Sequence, residues 1–172
     1  MVSLNDLIRE YAKKNHPYAK GISQEEIGDL VTGLRKRFNL SEQESDFSPK
    51  SLMLIESKMV DLHRRLSEGT IEYTEEELVL LVRELAAYFI QVLILHSGGE
   101  LNSQSSNLWS TEVIMRRPTT AVKGRERTTL PKLVIPAGNS VATAWDVIGL
   151  GKKPTLYADY KATKAKVLRE KL

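Results

Sequence analysis

The residue types that most often carry chemistry are sparse in this chain. It has no cysteine and three histidines in 172 residues. A chain without cysteine has no disulfides, no thiolate nucleophile and no thiolate metal site. The histidines also lack the His-x-x-x-His spacing of zinc helices and the Glu-x-x-His spacing of di-iron bundles. We therefore expect no metal and no cofactor, with His63 on the surface beside Arg64 and Arg65, and His96 near a helix C-terminus.

Motifs for nucleophilic or phosphate chemistry are also missing. There is no Gly-x-Ser-x-Gly elbow, and three serines share a polar stretch without a neighbouring base: Ser103, Ser105 and Ser106. Residues 149–153, Gly-Leu-Gly-Lys-Lys, resemble part of a phosphate loop but lack its Gly-x-x-x-x-Gly-Lys-Ser/Thr spacing. The acidic run Glu75–Glu77 lies at a predicted helix start, where the helix dipole favours it. The sequence therefore predicts a protein that is not an enzyme.

One cluster of cations favours a binding function. Residues 116–132 contain six cations and a single acid, Glu126; the cations are Arg116, Arg117, Lys123, Arg125, Arg127 and Lys132. Arginine binds carboxylates and phosphates through paired hydrogen bonds. We predict that these six residues bind an acidic surface, of another protein or of a second copy of this chain. Nucleic acid is the alternative, although neither interleaved aromatic residues nor a known nucleic-acid-binding motif is present. A hairpin whose charges serve only solvation remains a further alternative.

The charge of the chain is unevenly distributed. Residues 1–100 carry 12 Lys and Arg against 17 Asp and Glu, a net charge of −5. Residues 101–172 carry 13 against 5, a net charge of +8, so the whole chain has +3. This asymmetry indicates either a basic face that meets an anionic partner, or two halves that neutralise each other in the fold.

Length and composition predict one domain over residues 1–172. Apolar residues make up 41% and charged residues 27% of the chain, as is usual for a globular protein. The polar, acidic stretch 39–46 is typical of a linker, so residues 1–46 could form a helical appendage on an α+β core of residues 47–172. The start has no signal-peptide pattern, and Arg83 and Glu84 interrupt the most apolar stretch, residues 78–95. We expect a cytoplasmic protein that does not bind a membrane.

Helix-capping patterns predict four helices in the first hundred residues. Each start combines a capping serine or threonine with an acid or proline in the first turn: Ser3 with Asp6, Ser23 with Glu26, Ser48 with Pro49, and Thr74 with Glu77. The helix that follows Thr74 is apolar nearly all round, so it should be the central one. Two short helices are predicted near the C-terminus, capped by Ser140 and Thr155.

A small sheet is predicted between these helical regions. The alternation in residues 109–115 predicts a strand, and residues 119–122 and 128–135 predict a hairpin around the loop 123–127. The fold class is therefore α+β, with four N-terminal helices, an antiparallel sheet of about three strands and two short C-terminal helices. The predicted core comprises Leu62, Leu81, Leu85, Phe89, Val92, Val113, Trp145 and Tyr160.

Several segments resemble a group of small bacterial α+β domains of unknown function. The resemblance spans roughly residues 48–162 and rests on residues 87–93 (Ala-Tyr-Phe-Ile-Gln-Val-Leu), Gly98-Gly99, Trp109, residues 133–136 (Leu-Val-Ile-Pro) and residues 156–160 (Leu-Tyr-Ala-Asp-Tyr). At Ile90-Gln91 the group has Gly-Glu instead. The resemblance implies the fold and a bacterial origin but no chemistry. Together with the basic cluster, it leads us to expect a cytoplasmic protein-interaction or accessory module, for example of the immunity type.

Overall fold

Among the described residues, four α-helices precede a small sheet and two α-helices follow it, in an α+β arrangement. The computed structural model describes residues 3–102, 104–115 and 133–171. Its elements, in order, are α1 (Leu4–Lys13), α2 (Ile27–Phe38), α3 (Pro49–Ser67), α4 (Glu75–Ser97), β1 (Glu100–Leu101), β2 (Glu112–Met115), β3 (Leu133–Pro136), α5 (Ala137–Gly149) and α6 (Leu156–Lys171). The predicted fold class is confirmed, although α6 is longer than the short helix that we expected.

Helix α4 is the centre of the fold. It contacts α1, α2, α3, α5, α6 and the sheet, and nearly every residue between Val79 and Leu93 is buried. By length and composition α4 could cross a membrane, but 72% of its most apolar window is buried inside the protein. Its apolar surface is therefore used for packing against the rest of the chain, as predicted for the central helix.

The eight predicted core residues are all buried, and they belong to one hydrophobic cluster. That cluster also contains residues of α1 and α2, such as Leu7 and Leu34. Helix α2 packs along α4, and α1 packs against α5. The proposed division of the chain at residue 46 stays a prediction, but the described contacts show where the first two helices are attached.

Two of the predicted capping boxes are present at helix starts. Thr74 and Glu77 bond each other's backbone N–H groups at the start of α4, and Glu26 accepts the backbone N–H of Ser23 at 3.0 Å in a 3₁₀ turn before α2. The hydroxyl of Ser48 accepts the backbone N–H of Ser51 at 3.2 Å in α3. These short-range patterns were sufficient to locate three helix starts.

The first helix is capped differently from the prediction. The Ser3 hydroxyl bonds no backbone N–H of α1 and instead donates to the Asp146 carboxylate at 2.7 Å. That carboxylate, on α5, also accepts the backbone N–H of Leu4 at 2.7 Å. The predicted Ser3–Asp6 box is therefore wrong, because a carboxylate 142 residues away caps the helix. Helix α6 is capped in the same manner, since Glu56 of α3 accepts the Tyr157 N–H at 2.9 Å.

The three strands form an antiparallel sheet in the order β1-β2-β3. Val113 pairs with Ile135, and Met115 pairs with Leu133. The strand predicted from Trp109 begins only at Glu112, because the Asn107 side chain accepts the Ser110 N–H at 2.9 Å and holds a turn there. The predicted strand 119–122, the loop 123–127 and the first part of 128–135 lie outside the described residues. Helix α5 begins at Ala137, directly after β3, rather than at Ser140.

Candidate functional site

The predicted basic cluster lies between two paired strands. Its six cations fall within residues 116–132, outside the part of the chain that the structure describes. The residues on either side are described: Met115 ends β2, Leu133 begins β3, and the two are partners in the sheet. The chain therefore leaves the sheet and returns to it at neighbouring positions, and the sheet fixes both ends of the basic cluster.

Six further cations in the C-terminal part of the chain are described, and all are exposed. They are Lys152 and Lys153 between α5 and α6, and Lys161, Lys164, Lys166 and Arg169 on α6. Within the described ranges, none of the six forms an ion pair with a carboxylate. The ammonium group of Lys161 lies 4.8 Å from the centre of the Tyr157 ring, a cation–π contact that adds no negative charge. This C-terminal basic surface is thus open to an anionic partner.

The described ion pairs lie within residues 10–84. Acids of the front half are paired with cations of the same half, for example Glu26 with Arg83 and Glu84 with Arg37. Among the described residues, no ion pair joins the acidic half to the basic half. Ion pairs between the described parts of the two halves therefore do not account for the charge asymmetry.

Arg83 is a buried charge whose role the sequence analysis missed. Its side chain is 5% exposed, and its guanidinium donates to the backbone carbonyls of Tyr18, Lys20 and Gly21. It also donates to both carboxylate oxygens of Glu26, at 2.8 and 3.0 Å. Burial opposes ionisation of Glu26, but the bonds from Ser23 and Arg83 outweigh it and lower its pKa. Arg83 thereby fastens residues 18–26 to α4, which is a structural role.

Glu84 joins α4 to α2 in a second buried pair. Its carboxylate accepts Nε of Arg37 at 2.7 Å and a terminal guanidinium nitrogen at 3.3 Å. A Cβ on Gly33 would lie 2.6 Å from Glu84 Oε1, so only glycine leaves room for this carboxylate. Burial lowers the pKa of Arg37, but the hydrogen bonds to Glu84 and Tyr73 raise it overall. Charged residues on an otherwise apolar helix need partners. The presence of Arg83 and Glu84 in α4 is therefore the sequence pattern that indicates both pairs.

A cleft of about 460 Å³ brings a histidine, two serines and an aspartate together. It lies where α1 begins and α3 and α5 end, and it is lined by Ser3, His63, Ser67, Trp145, Asp146, Gly149 and Leu150. His63 is half-buried, and its ring centre is 5.3 Å from that of Trp145, so the expectation of a plain surface residue was wrong. Burial lowers the pKa of His63, which keeps its imidazole neutral near pH 7.

The hydrogen bonds in this cleft differ from those of a Ser-His-Asp relay. Such a relay needs the aspartate to bond the histidine and the histidine to bond the serine. Here Ser67 Oγ lies 3.3 Å from His63 Nδ1 but also 2.9 Å from the His63 carbonyl oxygen, to which it donates. The Asp146 carboxylate instead accepts bonds from Ser3, Leu4 and Asn5 at the start of α1. The geometry therefore explains Asp146 as a helix cap and Ser67 as a residue bonded to its own helix.

The third histidine, His96, lies in the last turn of α4. Its Nε2 is 2.9 Å from the carbonyl oxygen of Phe47, and its ring meets that of Tyr160 edge-on at 6.4 Å. The position near a helix C-terminus is as predicted, but the hydrogen bond goes to the residue before the cap of α3. Within the described ranges, no group of three or more His, Asp or Glu side chains could hold a metal ion.

Comparisons of the chain with protein-family models, with curated proteins and with solved structures find no match. The resemblance to small bacterial α+β domains, which rests on short segments such as residues 156–160, therefore stays a prediction. We therefore infer the function of the chain from its own charges and contacts.

Proposed function

We propose that this protein is a non-enzymatic binding module that recognises an acidic protein surface through its basic C-terminal half. The observation that carries the proposal is the uncompensated charge of that half. Six described cations there are exposed and without a carboxylate partner among the described residues, whereas the described ion pairs all join acids and cations of the front half. Clustered charges of one sign attract an oppositely charged partner and accelerate its association.

The cations of residues 116–132 are the proposed centre of recognition. The segment that carries them follows Met115 and precedes Leu133, and these two residues pair in the sheet. A rigid sheet therefore holds both ends of the segment. Binding residues concentrate in connecting segments that a rigid scaffold positions. The partner of this segment is either another protein or the acidic front half of a second copy, which carries −5. A cytoplasmic accessory module, for example of the immunity type, would act in this way without chemistry of its own.

Affinity capture from the source organism tests the proposal. The wild type should retain an acidic protein that a variant with Arg125→Ala and Arg127→Ala loses. A control variant with Lys13→Ala and Lys36→Ala removes the same charge from exposed front-half residues that form no ion pair among the described residues, and it should retain the partner. Equal capture by all three proteins would contradict the proposal. Light scattering of the purified protein tests self-association in parallel.

Nucleic acid is the second candidate, and the same exposed cations favour it. Phosphate contacts release counterions, so binding to B-DNA weakens by about 0.9 log units per contact for each log unit of salt. An electrophoretic shift with duplex DNA and with RNA at about 50 mM salt decides between the two candidates. Binding that weakens with salt at this slope would support nucleic-acid binding, and the absence of a shift would exclude it.

A further inference from the structure

A second cleft, separate from the basic C-terminal surface, collects cations of the front half. It has a volume of about 350 Å³ and lies between the end of α2, the middle of α3 and the connection from α3 to α4. Arg37, Lys58 and Arg65 line it together with one acid, Asp61. Because the front half is acidic as a whole, three converging cations there call for an explanation.

One of the three cations is held in a fixed position. The Arg37 side chain is 18% exposed, and Glu84 binds its guanidinium from α4 through two hydrogen bonds. The Tyr73 ring lies 5.4 Å from the guanidinium carbon. A guanidinium that is already oriented loses little conformational entropy when it binds an anion.

The other two cations are not bound by a described carboxylate. Within the described ranges, neither Lys58 nor Arg65 forms an ion pair. The acid of the cleft, Asp61, is bound by Arg64 at 2.7 Å, and this bond, with the charges of Arg64, Arg65 and Lys58, lowers its pKa. Glu84 binds Arg37, and Arg64 binds both Asp61 and Glu68, so Lys58 and Arg65 are the two cations of the cleft that no described carboxylate binds. Glu44 also lies within reach of Lys58, because hydrogen bonds from Ser41 and, to a smaller extent, the charge of Lys58 lower the pKa of Glu44. The negative end of α2 also faces this region, but the N–H groups of Asn39 and Leu40 already bond its last carbonyls.

The remaining walls of the cleft are apolar or aromatic. Leu62, Ile71 and Tyr73 line it, and Ile71 and Tyr73 are only partly buried. The cleft is larger than a bare phosphate requires, so it can also hold an organic group of about the size of one ring. A phosphate monoester presents three terminal oxygens and up to two negative charges, so three cationic side chains suit it better than a carboxylate, which has two oxygens and one charge.

We propose that this cleft binds the phosphate group of a small, soluble phosphate monoester. Arg37, Lys58 and Arg65 hold the phosphate, and the organic group rests on Ile71 and Tyr73. The site is independent of the partner-binding function proposed above, because it uses other residues and other elements of the fold.

Calorimetric titration with phenyl phosphate, inorganic phosphate and benzoate in a phosphate-free buffer tests the site. Phenyl phosphate should bind at one site per chain, more tightly than inorganic phosphate, which lacks the ring, and than benzoate, which lacks the second charge. A variant with Lys58→Gln and Arg65→Gln should bind phenyl phosphate at least about tenfold more weakly, because it loses two charge-assisted contacts. The matched control, Lys152→Gln with Arg169→Gln, removes the same charge from the C-terminal basic surface and should bind as the wild type does.

Each of the other results would overturn the proposal. Absence of binding by the wild type excludes the site, and equal affinity for benzoate excludes its preference for phosphate. An equal loss in both double variants would show that only the net charge of the protein matters. Amide shifts in NMR spectra locate the binding, and they should include residues 37–39 and 58. Circular dichroism checks that the variants are folded, which separates loss of the site from loss of structure.

Discussion

Replacing Arg83 by methionine tests the contact that joins the first 26 residues to α4. Methionine keeps the length and the apolar stem of the side chain but removes every donor. Three backbone carbonyls, those of Tyr18, Lys20 and Gly21, would then lose their guanidinium partner. Glu26 would lose its cation as well.

The size of the effect follows from the burial of these groups. Each buried polar group that is left without a partner costs about 1–3 kcal/mol. The Glu26 side chain is 45% exposed, so water can solvate its carboxylate and its share of the cost is small. The three carbonyls are partly buried and lie at the low end of this range, so we expect the free energy of unfolding to fall by about 3–5 kcal/mol in total. For a chain of this size, this corresponds to a decrease in Tm of roughly 6–20 °C.

Urea denaturation followed by circular dichroism measures this loss. The matched control is Arg64→Met, since the Arg64 side chain is 56% exposed and its ion pairs with Asp61 and Glu68 lie on the surface of α3. Such exposed pairs contribute about 0–1 kcal/mol. If Arg83→Met destabilises the protein no more than the control does, Arg83 does not fasten residues 18–26 to α4.

Three further sets of variants test the core, the backbone and the histidine cleft. Trp145→Ala should lower the free energy of unfolding by about 3–5 kcal/mol, because it empties a buried site. Trp145→Phe should lower it by under about 1.5 kcal/mol, because the indole N–H that it removes has no hydrogen-bond partner among the described residues. Thermal melts distinguish the two variants. Gly138→Ala would place a Cβ 1.9 Å from the Leu108 carbonyl oxygen and should destabilise the protein by about 1–3 kcal/mol or more. The control for this variant is Gly28→Ala in α2, where nothing lies within 4 Å of the new Cβ, and it should stabilise the protein by about 0.5–1 kcal/mol. Equal unfolding midpoints of the two variants in urea would contradict this comparison. Burial lowers the pKa of His63 in the folded state, so the unfolded chain binds a proton first as the pH falls. The contribution of His63 to stability is therefore complete above its unfolded pKa of about 6.5 and is lost as the pH falls below that value. The Tm of wild type minus that of His63→Gln should therefore decrease from pH 7.5 to pH 5, and a constant difference would refute the assignment.

The features that the sequence predicted correctly depend on short-range patterns. The caps at Ser48 and Thr74 need only the next three residues, and the position of α4 at the centre follows from its own apolar composition. The buried core residues are likewise predicted by local periodicity, helical for most of them and strand-like for Val113. Such features involve few residues that are distant in sequence, and they fix the fold class.

The features that the sequence did not predict involve residues far apart in the chain. Asp146 caps α1 from the other end of the sequence, so Ser3 and Asp6 formed a plausible but incorrect capping pair. The contact of His63 with Trp145 depends on how α3 packs against α5, which no local pattern encodes. In the sequence, Arg83 and Glu84 interrupt an apolar run, and buried charges require partners. The partners could be identified only once the helices were placed.

The most direct test of the central claim is the salt dependence of the association rate between this protein and the acidic partner that it captures. Stopped-flow mixing measures the rate constant from about 50 to about 200 mM salt, over which the screening of exposed charges increases. We expect that the rate falls steeply with salt and that Arg125→Ala with Arg127→Ala lowers it most at low salt, with a change in stability of under about 0.5 kcal/mol. An association rate that is independent of salt, or a double variant that binds as fast as the wild type, would contradict the claim that the basic C-terminal half recognises its partner.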